Sequence, residues 1–203
     1  MDHSTIGPHT CQELKEQLAA KSCPFLDVPI SGGESGAEAG TLTLMAGGDK
    51  DAFEQCRAYF DAVSSYAVYM GATGTGSMTK LLANQMSGIN HVVVCEAVNE
   101  AKRIGIDLDS FYTVVTHAWG RSHAFERIVP ERLMDYNFYP SYAPCEMINK
   151  DRHHALELAD ELGIDAKFAR MASEYYQRSC DIGHNKWDQA SVILLMEEDN
   201  KKD

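Results

Sequence analysis

Residues 71–105 read GATGTGSMTKLLANQMSGINHVVVCEAVNEAKRIG, and no other stretch constrains the fold of this chain as strongly. Gly71, Gly74 and Gly76 end a short β-like run at 67–70 and open one continuous helical pattern over 77–103. At 1.5 Å per residue such a helix is roughly 40 Å long. Leu82, Met86, Ile89, Val93, Ala97 and Ala101 recur at steps of three and four, which predicts the core-facing stripe, and Val92-Val93-Val94-Cys95 predicts a buried middle. Lys80, Asn84, Ser87 and His91 keep the same period, so a polar row with a lysine near its N-terminal end lies along the helix. A snorkelling lysine and hydrogen-bonded core polars are the commoner account of such residues taken singly.

Ahead of this helix the elements alternate. Thr5 and Pro8 introduce a helix at 9–21, and a short strand follows at 23–30, its prolines expected at edge or end positions. Residues 31–40 hold Gly32, Gly33, Gly36 and Gly40, which predicts a loop whose backbone N–H groups can approach a ligand closely. A strand at 41–46, a helix at 51–63 and a strand at 66–70 complete the pattern of a parallel α/β sheet, with too few strands for a whole doubly wound domain. Beyond 105 the pattern is helical. Asp109 is expected to cap one helix, a short one follows Ser122, an aromatic connector spans 136–142, and helices are expected at 145–162, 165–178 and 188–196. The charge run 197–203 reads as a disordered tail.

The net charge of -12 over 203 residues excludes a nucleic-acid surface or an anionic membrane as a partner, since both require a positive field. The 6 cysteines are scattered without a C-x-x-C pair, as reduced intracellular thiols would be. No apolar run is long enough to span a bilayer and the polar start carries no signal-peptide pattern, so the expected compartment is the cytoplasm. His153-His154 with Cys145, Cys180 and His184 match no zinc spacing, and no metal is expected. Trp187-Asp188 reads as a helix start.

The glycine turns fail the familiar phosphate cradles. Gly71 and Gly76 have the P-loop spacing, but Ser77 stands where the phosphate lysine belongs. Gly74 and Gly76 begin a dinucleotide fingerprint that ends on Thr79 in place of glycine. What remains is the positive end of the long helix, expected to favour an anion near Thr75 and Ser77.

Taken together, Asp27-Val28-Pro29-Ile30-Ser31-Gly32-Gly33, Gly36-Ala37-Glu38-Ala39-Gly40-Thr41-Leu42-Thr43, Gly47-Gly48, Gly74-Thr75-Gly76 and Lys80-Leu81-Leu82-Ala83-Asn84 resemble, in order and spacing, the β-hydroxyacid dehydrogenase family. That family includes 3-hydroxyisobutyrate, tartronate semialdehyde and threonate dehydrogenases and is related to 6-phosphogluconate dehydrogenase. Ser4-Thr5-Ile6 with Pro8 resembles the segment that closes the family's cofactor domain, and Lys150-Asp151 its later Lys-Asp pair. Arg152-His153-His154 stand where the family is more apolar. Nothing like the family's opening strand and G-x-G-x-x-G turn precedes Asp2, so the chain resembles the family with most of its NAD(P)-binding domain missing.

The resemblance implies a fold in two parts. Residues 1–73 are an α/β remnant of a Rossmann-type sheet, and 74–196 an all-α domain built on one long helix, like the C-terminal domain of 6-phosphogluconate dehydrogenase. It also implies NAD- or NADP-dependent hydride transfer with a small β-hydroxyacid. Lys80 fits the acid/base and the charge partner of the developing alkoxide. Ser31 with the backbone of Gly32 and Gly33 fits the substrate carboxylate, and Asn84 either the substrate hydroxyl or the positioning of Lys80; Ser122 is placed in the same cleft by the resemblance alone. Ser4, Thr5, Gly74, Lys150 and Asp151 are the implied cofactor contacts. The partner expected besides substrate is a second copy, in a homodimer or larger homo-oligomer through the helical domain. The competing expectation is a catalytically inactive fragment, or a helical dimerisation module that takes its cofactor domain from another chain.

Overall fold

The structure, a computed structural model, describes residues 1–201 and divides into two compact units, Met1–Ala83 and Asn84–Asp203. In the first, α1 (Pro8–Ala19) starts on a proline whose missing N–H costs nothing in a first turn. The strands β1 (Leu26–Asp27) and β2 (Ile30–Ser31) are two pieces of one extended segment. Both run antiparallel to β3 (Leu42–Gly48) in one continuous register, Leu26 opposite Gly48 and Ile30 opposite Leu44. Pro29 interrupts the ladder from inside because it has no N–H to give, though its carbonyl still accepts from Met45 at 3.2 Å. The other side of the segment is covered by Asp2, which exchanges backbone bonds with Leu26 and Val28.

The sheet is therefore mixed, where alternation along the chain predicts a parallel one. The expected Gly-rich loop at 31–40 is a helix, α2 (Gly33–Ala39), because Glu34, Ala37, Glu38 and Ala39 propagate a turn that Gly40 closes at φ 64°. That connection is too short for a crossover, so the chain returns antiparallel. Between β3 and β4 (Ser64–Gly71) lie α3 (Lys50–Gln55) and α4 (Arg57–Val63), two short helices broken at Cys56 where one is expected. This passage is long enough to bring β4 parallel to β3. Val28, Leu44, Phe53 and Phe60 fill the core of the unit, each worth roughly 1.5–3 kcal/mol when fully buried.

Helix α5 (Thr75–Ile104) has 30 residues, about 45 Å by the standard rise. Gly74 at φ 92° turns the chain into it, and Gly105 at φ 84° ends it with the Ile106 N–H on the Ala101 carbonyl. Lys102 and Arg103 suit the negative end of its dipole. The expected stripe faces the core only in part: Ala101 is 2% exposed and Ile89 packs on the core, but Leu82 is 51%, Met86 66% and Val93 54% exposed. The buried face passes instead through Gly88, Val92, Cys95 and Val98. The reason lies at Gly88, where Tyr176 donates to its carbonyl at 3.0 Å and an added Cβ would stand 2.5 Å from Arg152 Nη1. Close packing there selects a face by its missing side chain, which an apolar periodicity does not register.

The second unit adds α6 (Leu108–Thr116), capped by Asp107 and not Asp109, then α7 (His123–Ile128) with a π-helical turn at Val129–Leu133. Helices α8 (Cys145–Glu161) and α9 (Lys167–Asp181) pack on one another, and a 3-10 turn (Gln189–Ser191) leads into α10 (Val192–Asp199). Asp188 opens that turn as a structural acid: it accepts from Ala190 N–H at 3.1 Å and Ser141 Oγ at 3.0 Å, and lies 3.6 Å from Arg132. Residues 197–199 continue α10, where the charge run predicts a frayed tail, because Lys102 holds Glu197 and Arg178 holds Asp199 through two bonds of 2.8 and 2.7 Å. Residues 202–203 of that run lie outside the described residues.

Candidate active site

Within the first unit the expected site residues fall on the N-terminal segment, on β2 with the turn into α2, and on α5. Ser31 ends β2 with its side chain exposed, and Gly32 and Gly33 turn the chain into α2 at φ 138° and φ 64°. These angles favour glycine, and a Cβ at Gly32 would stand 3.0 Å from Leu42. The N–H groups of a helix's first turn have no intrahelical acceptor, so this turn offers donors beside the Ser31 hydroxyl. Ser4 and Thr5 follow the Asp2 bridge; the Ser4 N–H is held by Asp2 Oδ1 at 2.8 Å and its side chain is exposed. Lys80 is half-buried on α5, one turn beyond Ser77.

No external anion is needed at the N-terminus of α5. The carboxylate of Asp27 already occupies it, accepting from Gly74 N–H at 2.7 Å and Ser77 N–H at 2.9 Å. Two expectations change: the anion near Thr75 and Ser77 is the chain's own, and the Gly74 amide, buried and spoken for, is not a donor left to a cofactor. Thr75 bonds its hydroxyl to the Ala72 carbonyl at 2.7 Å. An acid between Leu26 and Val28 in an apolar strand is the signal by which the sequence could have revealed Asp27.

Within the second unit Asn84, Lys150 and Asp151 come together. Asp151 is buried on α8; its Oδ2 accepts from Asn84 Nδ2 at 2.6 Å, and Lys150 Nζ lies 3.2 Å from its Oδ1. This bond fixes the Asn84 amide with its carbonyl oxygen free of that partner, and gives Asp151 a task other than contact with a cofactor. Asn84 stands four residues from Lys80 on the same helix, so the two share a face. Ser122 is the N-cap of α7, its Oγ accepting from Phe125 N–H at 3.1 Å, and it is not joined to the Asn84 cluster. His91, the far end of the polar row, is a core histidine. Its Nδ1 bonds the Ser87 carbonyl at 2.7 Å, and burial pushes its pKa below the ordinary value.

Among the described residues no three His, Cys, Asp or Glu side chains form a metal-holding cluster, and no helix is long and apolar enough to cross a membrane. The cysteines described are free, and burial pushes the Cys95 and Cys145 thiols upward.

Residues 1–74 match the family described as the NAD binding domain of 6-phosphogluconate dehydrogenase, and residues 74–196 the family described as the NAD-binding of NADP-dependent 3-hydroxyisobutyrate dehydrogenase. L-threonate dehydrogenase of Escherichia coli is 32% identical over 96% of this chain and 64% of its own length. The mitochondrial 3-hydroxyisobutyrate dehydrogenase of Drosophila melanogaster is 31% identical over 98% of this chain and 63% of its own. The chain thus spans somewhat under two thirds of these curated relatives. Among solved structures, a 3-hydroxyisobutyrate dehydrogenase from Salmonella typhimurium superposes with TM-score 0.87 at 31% identity, over 95% of this chain and 67% of the other.

Proposed function

The chain belongs to the β-hydroxyacid dehydrogenase family, and we propose that it interconverts a small β-hydroxyacid and its carbonyl product by hydride transfer with NAD or NADP. The observation that carries this reading is the Asn84 amide pinned by Asp151 one helical turn from Lys80. The substrate carboxylate binds Ser31 Oγ and the N–H groups of the Gly32-Gly33 turn. The substrate hydroxyl lies against Asn84 and Lys80. In the oxidative direction the neutral Lys80 amine takes the hydroxyl proton as the C–H hydride departs, and in the reductive direction the ammonium returns it. Its positive charge then faces the oxygen on which negative charge grows, where a fixed charge is most effective.

The nicotinamide, when bound, supplies or accepts the hydride. Ser4, Thr5 and the half-exposed Lys150 ammonium are the donors this chain offers such a polyanionic cofactor. Exposed Leu82, Met86 and Val93 on α5 and Phe168 and Met171 on α9 support association of the helical unit with a second copy. That same apolar surface is what a non-catalytic dimerisation module would carry, and turnover separates the two.

Asn84→Ala tests the assignment. Removing the pinned amide is expected to lower kcat/KM for the hydroxyacid about 10²-fold, the scale of a lost positioning contact, in a protein that stays folded but loses about 1–3 kcal/mol because buried Asp151 loses its donor. Steady-state kinetics with unaltered kcat/KM would remove Asn84, and the observation that carries the reading, from the site.

A further inference from the structure

The first turn of α5 is held by a single acid in an unusual way. Asp27 is 1% exposed, and both of its oxygens are engaged, by Gly74 N–H and Ser77 N–H. The backbone closes on it without spare room: a Cβ at Gly47 would lie 2.8 Å from Asp27 Oδ1, and one at Gly76 would lie 2.6 Å from the Asp27 carbonyl and 2.9 Å from Oδ2. From the other side α1 grips the same turn, Gln12 Nε2 on the Thr73 carbonyl at 2.8 Å and Cys11 Sγ against Ser77 Oγ at 3.3 Å.

Capping alone does not call for this. Asp49 and Asp107 cap α3 and α6 from exposed sites, where an ionised carboxylate keeps its hydration, and the buried cap Asp188 lies 3.6 Å from the Arg132 guanidinium. Burying the acid is costly unless something is gained from its rigidity or its charge. Both reach Lys80. Residues three apart share a helix face and side chains lean toward the N-terminus, so Lys80 rises over the turn that holds Ser77. That turn carries roughly half a positive charge from the helix dipole, which repels an ammonium one turn on.

We propose that Asp27 is a positioning residue for Lys80: its buried carboxylate fixes the turn from which the lysine projects and offsets the positive end of α5, so that the ammonium form persists where substrate binds. The inference rests on the reading of Lys80 as the acid/base. Asp27→Asn keeps the shape, removes the charge and turns an NH2 group toward one of the two N–H donors.

The test compares wild type and Asp27→Asn by limited acetylation of lysines with acetic anhydride across a pH series, each lysine quantified by mass spectrometry. This needs no turnover. The half-maximal pH for Lys80 is expected to fall by on the order of half a pH unit, the size of a helix-terminus interaction, while exposed Lys15 and Lys50 keep theirs. In parallel kcat in the reductive direction, where the ammonium donates, is expected to fall about threefold above the Lys80 midpoint with KM for NAD(P) unchanged, the basic limb of its pH profile moving down with Lys80. A folded Asp27→Asn protein with an unmoved Lys80 profile overturns the proposal. If that variant does not fold, Asp27→Ser is read the same way, and failure of both to fold also overturns it, since the carboxylate would then serve the fold alone. A shifted Lys80 profile in a chain without turnover would leave the Asp27–Lys80 link standing and defeat the dehydrogenase reading instead.

Discussion

Lys80→Met is expected to reduce hydroxyacid turnover by at least the 10²–10⁴-fold that a positioned acid/base contributes. Methionine keeps most of the length and apolar bulk of lysine and removes only the ammonium. The loss should fall on kcat at every pH, because the group that exchanges the proton is gone, and KM for the cofactor should stay near its wild-type value. The melt should be unchanged, since Lys80 is half-buried and Leu81 beside it carries the packing of that turn. Initial rates with saturating substrate check this. A variant within a few-fold of wild type would move the acid/base elsewhere and leave α5 a structural strut.

Arg152→Leu is expected to stabilise the helical unit, by about 1–4 kcal/mol, a thermal shift of several degrees. Arg152 is 1% exposed on α8 and has no acidic partner among the described residues. Its Nη2 donates to the Ala169 carbonyl and its guanidinium lies 5.3 Å from the Tyr176 ring centroid, but Nε and Nη1 are buried without a hydrogen-bond acceptor. Desolvation draws its pKa below the ordinary arginine value, the mark of a charge held at a cost. The room beside Gly88 that admits Nη1 is space a leucine can partly fill. Differential scanning calorimetry of the variant decides the matter. A lowered melting temperature would mean that the bond to Ala169 and the contact with Tyr176 outweigh the buried charge.

These two residues mark where the sequence was legible and where it was not. The long helix, the helical second half and the family motifs could be read directly, because a helical period sustained along a 30-residue element and glycine turns at fixed spacing are local signals. The placing of Lys80 and Asn84 one turn apart on that helix is legible from the same period. The face of that helix that packs was not readable: Gly88 is silent in any hydrophobic pattern, yet it is where Tyr176 and Arg152 close on α5. Arg152 is visible as a departure from an apolar family position, but its burial depends on the packing of the next helix, α9, and on Gly88 of α5. The role of Asp27 is not a local signal, since the two N–H groups that donate to its carboxylate lie 47 and 50 residues away. In the same way the glycines at 31–40 favour a loop by local preference, while the alanines and glutamates among them make α2.

The measurement that bears most directly on the central claim is hydroxyacid-dependent reduction of NAD or NADP by the full 203-residue chain, followed by nicotinamide absorbance while circular dichroism confirms that the chain is folded. Saturable reduction with 3-hydroxyisobutyrate, threonate or a related 3-hydroxyacid, abolished in Lys80→Met, is the predicted result. A folded, helical protein that binds neither cofactor and reduces neither would contradict it.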